Sequence, residues 1–455
     1  MTQKEALKIL KSGRNVFLTG QAGSGKTYVL NEYIGFLRKK KRSVGITAST
    51  GIAATHLNGM TIHAWTGMGI LNELTEKALK KILRKRRLQG RIRNAQVLII
   101  DEISMLSARR LDIAAEIVRM FRGAWEPFGG MQVVLCGDFF QLPPVNKRDE
   151  ERTGQFAYHS RAWKELNLNV CYLTEQHRQK DARYLEVLQA IRTNTADEQA
   201  WNILKQRFQS EANTRTKLYT HNIDVDQVNN KELAKLEGEE TIFRMHSSGP
   251  IALVKVLHKN CLANEVLGLK ERALVMFLRN NIDKEYVNGT LGVVEGFNEE
   301  GYPIVRTKQK KSIEVLPEEW RIEDEEGKVL AIIQQLPLRL AWAITVHKSQ
   351  GMTLDTAEMD LSKCFELGMG YVALSRVRTL EGIYLRGIND LALKVSEEAV
   401  EMDKEFQRRS EEVAAEFHKR LKTQSERGEA RAYPVDEIRK THAKAYQIHA
   451  VQDKK

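Results

Sequence analysis

The chain has 455 residues, too many for one core of ordinary size, so two to four domains are expected. Hydrophobic residues make up 42% and charged residues 29%, an ordinary globular balance, and no apolar run approaches the roughly 20 residues that span a bilayer. The net charge of +12 suits a polyanion such as nucleic acid and, equally, a solubilising surface excess. The start, Met1-Thr2-Gln3-Lys4-Glu5, lacks an apolar signal region, so the expectation is an intracellular protein, of cytoplasm or nucleoid in a bacterium, with no membrane partner. Four widely spaced cysteines (Cys136, Cys171, Cys261, Cys364) form no C-x-x-C pair and suggest neither a zinc site nor a disulfide framework. Cys136 lies in an apolar run and reads as core.

Residues 3–11 read as a short amphipathic helix, and Asn15–Thr19 as a buried strand. Gly20-Gln21-Ala22-Gly23-Ser24-Gly25-Lys26-Thr27 follows and matches G-x-x-x-x-G-K-[ST], with a helix expected over Tyr28–Leu37. In that strand–loop–helix context the glycines let backbone N–H groups approach phosphate oxygens, and the helix start adds partial positive charge. Lys26 is expected on the β- and γ-phosphates and the Thr27 hydroxyl on Mg²⁺. A second strand, Ser43–Thr47, runs into Ala48-Ser49-Thr50-Gly51, where a hydroxyl could cap a helix or hold a strand phosphate. Beyond Thr61-Ile62-His63-Ala64-Trp65 and a glycine-bearing loop, residues 71–93 read as one amphipathic helix that becomes strongly basic. Such a run is usually a solvated face, and a nucleic-acid groove is the sharper alternative.

Val97–Ile100 is an apolar strand ending in Asp101-Glu102. The first carboxylate can hold Mg²⁺ through its water shell and the second can polarise an attacking water. The strand 131–136 ends in Gly137-Asp138-Phe139-Phe140-Gln141-Leu142-Pro143-Pro144, where Gln141 could sense the γ-phosphate. A strand at 170–173 leads to Thr174-Glu175-Gln176-His177-Arg178. Apolar strands alternating with helices imply a parallel sheet with ligands at the strand C-termini.

Residues 181–210 read as helical, and Lys217–Asn222 as a strand and its exit. Short strand signals then dominate 245–335, with turns at Asn288-Gly289, Gly301 and Gly327 and a hairpin signature over Tyr286–Val294. The acidic run Ile322–Glu326 tells against DNA over part of this insert. From Leu336 the α/β style returns, with His347, Lys348 and Ser349 as candidate backbone grips, Gly351 as a close approach to nucleotide, and Arg376 as a candidate γ-phosphate arginine. From about 391 the chain is helical and highly charged, with a break at Pro434.

In family order from residue 14 to about 388, these segments resemble those of the Pif (petite integration frequency) family of superfamily 1B DNA helicases, relatives of the RecD-like motors. The resemblance is carried by Gly20–Thr27, Thr47–Ala54, Asp101–Met105, Gly137–Pro144, His177-Arg178-Gln179, Thr345–Gly351 and Tyr371–Arg376, and by Asp101 through Gly130 as a signature stretch. It implies an α/β fold of two RecA-like P-loop NTPase lobes: 1–65 with 94–174, and 175–245 with 336–390. It also implies a wedge insert at 66–93, an SH3-like β insert at 246–335 and a helical extension at 391–455. The activity implied is ATP-driven 5′-to-3′ movement on single-stranded DNA with strand separation at single/double-strand junctions, in DNA repair, recombination and telomere maintenance. G-quadruplexes and RNA–DNA hybrids are further candidate substrates.

By the same resemblance, ATP and Mg²⁺ are the cofactors, and Lys26, Asp101, Glu102, Gln141, Arg178 and Arg376 carry hydrolysis. Gln3, Gly20, Ala22, Gly23, Ser24, Gly25, Lys26, Thr27 and Gly351 bind nucleotide, and Thr27 and Asp101 hold the metal. Thr50, His63, His347, Lys348 and Ser349 line the DNA path. Two other readings stay open: a nucleotide-gated DNA-binding module that separates no strands, and a small-molecule P-loop kinase, against which the segments after Gly137 argue.

Overall fold

The computed structural model describes residues 1–426 apart from 58, 70, 72, 145–155, 180, 209–215, 262, 280, 282–285, 287–289, 308–309 and 324–328. Six parallel strands form the first sheet: β1 (Val16–Gly20), β2 (Val44–Ala48), β3 (Met60–Thr61), β4 (Val97–Asp101), β5 (Gln132–Cys136) and β6 (Asn169–Leu173), in the order β3-β2-β4-β5-β1-β6. Side chains alternate across a strand, so each apolar run feeds two cores. Phe17, Leu98, Ile100, Val133 and Leu135 face one layer with the helix Ala108–Arg122. Val16, Leu18, Val97, Ile99, Val134 and Cys136 face the other, against the helices Gln3–Lys11 and Lys26–Lys39. Thr2 and Glu5 close a capping box that starts the first of these helices.

A second parallel sheet, in the order Ala343–Thr345, Lys217–Tyr219, Ala357–Leu361, Ile383–Ile388, builds the other lobe. Its Leu218, Ile344 and Met359 join the same apolar core as Phe17 and Leu98. Among the described residues no helix is long and apolar enough to cross a membrane.

Several local expectations change. The helix expected over 71–93 is two helices, Glu76–Leu83 and Arg86–Asn94, broken at Arg84–Lys85. The break lets Ile82 on one and Leu88 and Ile92 on the other reach the first-lobe core. The basic run divides accordingly. Lys81, Arg84, Lys85 and Arg86 are exposed, whereas Arg91 donates to Ala64 O (3.1 Å) and Arg93 to Phe121 O (2.8 Å). The span 181–210 likewise divides into Ala182–Arg192 and Glu198–Lys205, each capped by an aspartate (Asp181, Asp197).

The β insert, expected over 246–335, extends on both sides. Thr241–Arg244 pairs with Val266–Leu269, and Leu338–Leu340 pairs with Leu274–Phe277. It also holds a helix, Ile251–Asn260, whose Leu257 packs on Ala331 and Ile333. The turn of the hairpin signature over Tyr286–Val294 lies outside the described residues. Tyr286 bridges Asn281, while Leu291–Phe297 pairs with Leu274–Phe277 and Pro303–Thr307. The Gly301 turn is present, at φ +83° with its N–H on Asn298 O (2.9 Å). The Asn288-Gly289 and Gly327 turns, most of the acidic run, and Pro434 lie outside the described residues. Past the second lobe a helix spans Glu397–Glu426.

Candidate nucleotide site and nucleic-acid interface

The C-terminal ends of β1, β4, β5 and β6 open on one edge of the sheet, which gathers segments distant in sequence into one cleft. The loop after β1 holds Gly20, Gly23 and Gly25 at φ +139°, +88° and +84°. At Gly23 a Cβ would meet the Arg178 Cβ at 2.7 Å, and at Gly25 it would meet the Gln3 Nε2 at 1.9 Å. Only glycine fits under both neighbours. Lys26 Nζ donates to Gly20 O (2.8 Å) and Gln21 O (3.1 Å), and so is held across the mouth of its own loop. The Ala22 N–H donates to the Tyr371 hydroxyl (3.3 Å). Ser24 Oγ is buried in the loop with no partner among the described residues. Thr27 stands exposed in the first turn of the following helix. Gln3 sits over the loop, its amide donating to Ser24 O (3.0 Å) and its backbone N–H to Glu175 (2.9 Å).

Opposite the loop, Asp101 ends β4 and accepts the Glu102 N–H (2.9 Å). Glu102 adopts left-handed backbone, φ +51°, which turns it off the strand line at a conformational cost of about 1–2 kcal/mol. Burial raises the Asp101 pKa against hydrogen bonds from Cys136 and the Glu102 N–H. Glu102 is pushed up to about 7 by burial and by Asp101, with Lys26 and Arg376 opposing. Cys136 is buried in the core as expected and also touches Asp101, so its thiol is raised by burial and by that carboxylate. Gln141 is buried beside Asp138 (3.4 Å) and accepts from Gln350 Nε2 (3.4 Å).

The segment after β6 stitches the lobes together. His177 N–H donates to Gly23 O (3.0 Å) and Gln176 to Ala22 O (3.2 Å), while Arg178 and Gln179 each donate to Ser375 O (2.9 Å) in the second lobe. Arg376 is 2% exposed, with Nε on Val372 O (2.9 Å). Burial lowers its pKa against the attraction of Glu102. Arg178 is pushed down to about 9 by burial and by the nearby Arg376 charge. Two hard-to-bury cations thus stand near the carboxylates and the loop, a setting suited to a polyanion entering between them.

The residues expected along the DNA path are less gathered. Thr50 caps a helix, its hydroxyl accepting the Ala53 N–H (3.3 Å). His63 is half-buried on Ile62–Thr66. His347 is partly exposed, 3.9 Å from Glu366, and its ring lies 6.4 Å from Phe365, which also faces His221 at 5.0 Å. Ser349 is fully buried and donates to Val346 O (2.7 Å), so its hydroxyl shapes the turn. The Lys348 side chain lies outside the described residues. Gly351 is exposed at φ +79°. Motif spacing singles out neither Arg192 nor Asp403, and assigns no role to Asp138 and Tyr371 within the stretches Gly137–Pro144 and Tyr371–Arg376. These meet in one buried network, and the available signal was a lone arginine at the end of an otherwise apolar helix face.

A family model described as PIF1-like helicase matches residues 2–200. The ATP-dependent DNA helicase Pif1 of Psychrobacter sp. is 44% identical over 92% of this chain and 72% of its own length. The crystal structure of Pif1 helicase from Candida albicans superposes with TM-score 0.76 at 35% identity, covering 89% of this chain and 98% of that one. Bacteroides Pif1 in complex with ADP-AlF3 and ssDNA superposes with TM-score 0.63 at 29% identity, over 89% and 96%. The chain spans about 60% of the length of the vertebrate relatives that it matches. With the loop, the paired carboxylates and the two arginines all present in that shared fold, the chain belongs to the PIF1-like helicase family.

Proposed function

We propose that this chain is an ATP-dependent DNA helicase that moves 5′ to 3′ along single-stranded DNA and separates a duplex at the junction ahead. The observation that carries the reading is the convergence of Arg178 and Arg376 on a cleft walled by the phosphate loop and Asp101-Glu102. Relatives named as ATP-dependent DNA helicases, and one solved with ADP-AlF3 and ssDNA, support it.

The chemistry follows from the residues. ATP phosphates replace Gly20 O and Gln21 O as partners of Lys26 and occupy the loop N–H groups and the unpartnered Ser24 Oγ. Two adjacent buried carboxylates with raised pKa values form a site short of a cation, which fits Mg²⁺ held by Asp101 and Thr27 together with substrate phosphates. When bound, that ion supplies charge neutralisation at the β- and γ-oxygens. Glu102 orients and deprotonates the attacking water, and Gln141 contacts it or the γ-phosphate. Arg178 and Arg376 stabilise the transferring phosphoryl charge. Gln3 reads the base from above the loop. Loss of the γ-phosphate removes the partner of both arginines, and the lobes part. Residues 66–93 serve as the wedge and 241–341 as the SH3-like insert. Thr50, His63, His347 and Lys348 hold the strand, a grip that is largely electrostatic. Forks, G-quadruplexes and RNA–DNA hybrids are the structured substrates to compare.

Duplexes with a single 5′ or 3′ tail test the reading. Unwinding from the 5′ tail only is expected. Unwinding from the 3′ tail only overturns the polarity, DNA-stimulated ATP turnover without strand separation favours a nucleotide-gated binding module, and turnover indifferent to DNA overturns the motor reading.

A further inference from the structure

The helix Glu397–Glu426 follows the second lobe in sequence but packs on the first. It lies along β6, the outer strand of the six-stranded sheet. There the Tyr172 N–H donates to Ser410 Oγ (3.0 Å) and Arg409 donates to Leu168 O (2.8 Å). Phe406 enters an aromatic cluster with Phe17 (4.9 Å between centroids) and Phe139 (5.9 Å). Farther along, Phe417 joins the core on the other face of the sheet, and His418 meets Glu5 at 2.8 Å.

Three residues before Phe406 the same helix delivers Asp403 to a buried arginine. Arg192 Nη2 donates to Asp403 (3.3 Å) and to the Tyr172 hydroxyl (3.0 Å), which in turn donates to Asp403 (3.1 Å). Arg192 Nη1 donates to both Asp138 oxygens (2.8 and 2.9 Å) and to the Tyr371 hydroxyl (3.1 Å), and the guanidinium stacks 3.9 Å over Phe140. The far ends of this network are in the nucleotide site. Tyr371 accepts the Ala22 N–H of the phosphate loop, and Asp138 accepts from Gln141 (3.4 Å) and the Phe140 N–H (3.2 Å). One guanidinium, 2% exposed, therefore joins the loop after β5, the phosphate loop, a second-lobe helix and the C-terminal helix. A buried cation held by two carboxylates has a fixed geometry, and removing either carboxylate leaves charge uncompensated.

We propose that Asp403 is a positioning residue for ATP hydrolysis. From the C-terminal helix it fixes Arg192, and through Arg192 it holds Asp138, Gln141 and Tyr371 where the closed cleft needs them. The helix is thus a strap from the second lobe to the first, and the carboxylate it delivers sets turnover rather than nucleotide or DNA affinity. This rests on the motor reading above.

The test measures ssDNA-stimulated ATP turnover, KM for ATP, ssDNA affinity and Tm on the full chain. Wild-type stimulation by ssDNA checks the motor reading independently. Asp403→Asn keeps the shape and removes the charge, and should lower kcat about 10-fold or more, as a small misplacement of reacting groups does, with KM and ssDNA affinity within about 2-fold. Asp403→Glu should restore part of that loss. Tyr172→Phe, which removes one hydroxyl between Asp403 and Arg192, should lower kcat less, and its effect should not multiply with that of Asp403→Asn. Phe417→Leu loosens the far end of the strap, in the core on the other face of the sheet, and should lower Tm while sparing kcat. Wild-type turnover in folded Asp403→Asn overturns the proposal. So does a kcat loss in Phe417→Leu that matches Asp403→Asn at equal Tm, which would make the helix merely structural. Should Asp403→Asn not fold, Tyr172→Phe decides alone, and unchanged kcat there overturns the proposal.

Discussion

Around the phosphate loop most polar side chains are tied to backbone carbonyls, whereas His347, in a segment that resembles the DNA path, is half-exposed and loosely held. Lys26, Gln3, Arg178, Gln179 and Arg376 each bond a backbone carbonyl at 2.8–3.0 Å. His347, by contrast, has Glu366 no nearer than 3.9 Å and a ring neighbour at 6.4 Å. The difference follows from what each region does under the proposed function. Phosphoryl transfer needs groups already aimed at developing charge, in a site that excludes water. A strand grip must be made and released at every step, so loosely held, solvated groups serve it better.

The largest effects should come from the tied region. Lys26→Ala and Arg376→Ala each remove a cation from the phosphates and should lower ATP turnover about 10³-fold, with ssDNA binding still measurable in a filter or anisotropy assay. Loss of binding along with turnover would erase the contrast. Glu102→Gln should follow at about 10²-fold or more in single-turnover hydrolysis, because the carboxylate and not its shape serves the water.

An intermediate effect is expected at the basic insert. Ile82, Leu88 and Ile92 belong to the lobe's core, so the insert is better tested by changing its surface than by deleting it. Replacing exposed Lys81, Arg84, Lys85 and Arg86 with alanine should slow unwinding of a tailed duplex several-fold and leave ssDNA-stimulated ATPase near wild type. Equal losses in both assays would assign these residues to the general strand grip.

The smallest effects belong to single members of the loose region. His347→Ala should weaken ssDNA binding only a few-fold, because among the described residues its ring is held by no polar contact shorter than the 3.9 Å approach to Glu366. A hundred-fold loss would show that His347 is preorganised after all.

What the sequence disclosed divides along the same line. The loop, Asp101-Glu102 and the strand ends were legible because their chemistry demands fixed residue types at short spacing, and buried parallel strands read as apolar runs. Arg192 and Asp403 were not, because a buried ion pair depends on the three-dimensional meeting of residues 211 positions apart. The break at Arg84–Lys85 was hidden by a helical periodicity that continues across it. The helix Ile251–Asn260 was masked by the strand signals around it, and its burial is decided by Ala331 and Ile333 far downstream. Thr50 shows the reverse case: its cap was readable from local composition, while any role toward DNA depends on surroundings that spacing does not encode.

The strap along β6 also bears on how the chain is made. The cluster of Phe17, Phe139 and Trp163 is complete only when Phe406 arrives, and Glu5 waits for His418, 413 positions later. At roughly 5–20 residues per second, a ribosome needs on the order of ten seconds or more to pass from β6 to that helix. During that interval the first lobe carries an uncovered aromatic pocket beside an open strand edge, a surface on which other chains can pair. The first lobe is therefore the part of a nascent chain with most to gain from a chaperone, and the arrival of the last described helix is the event that ends its exposure.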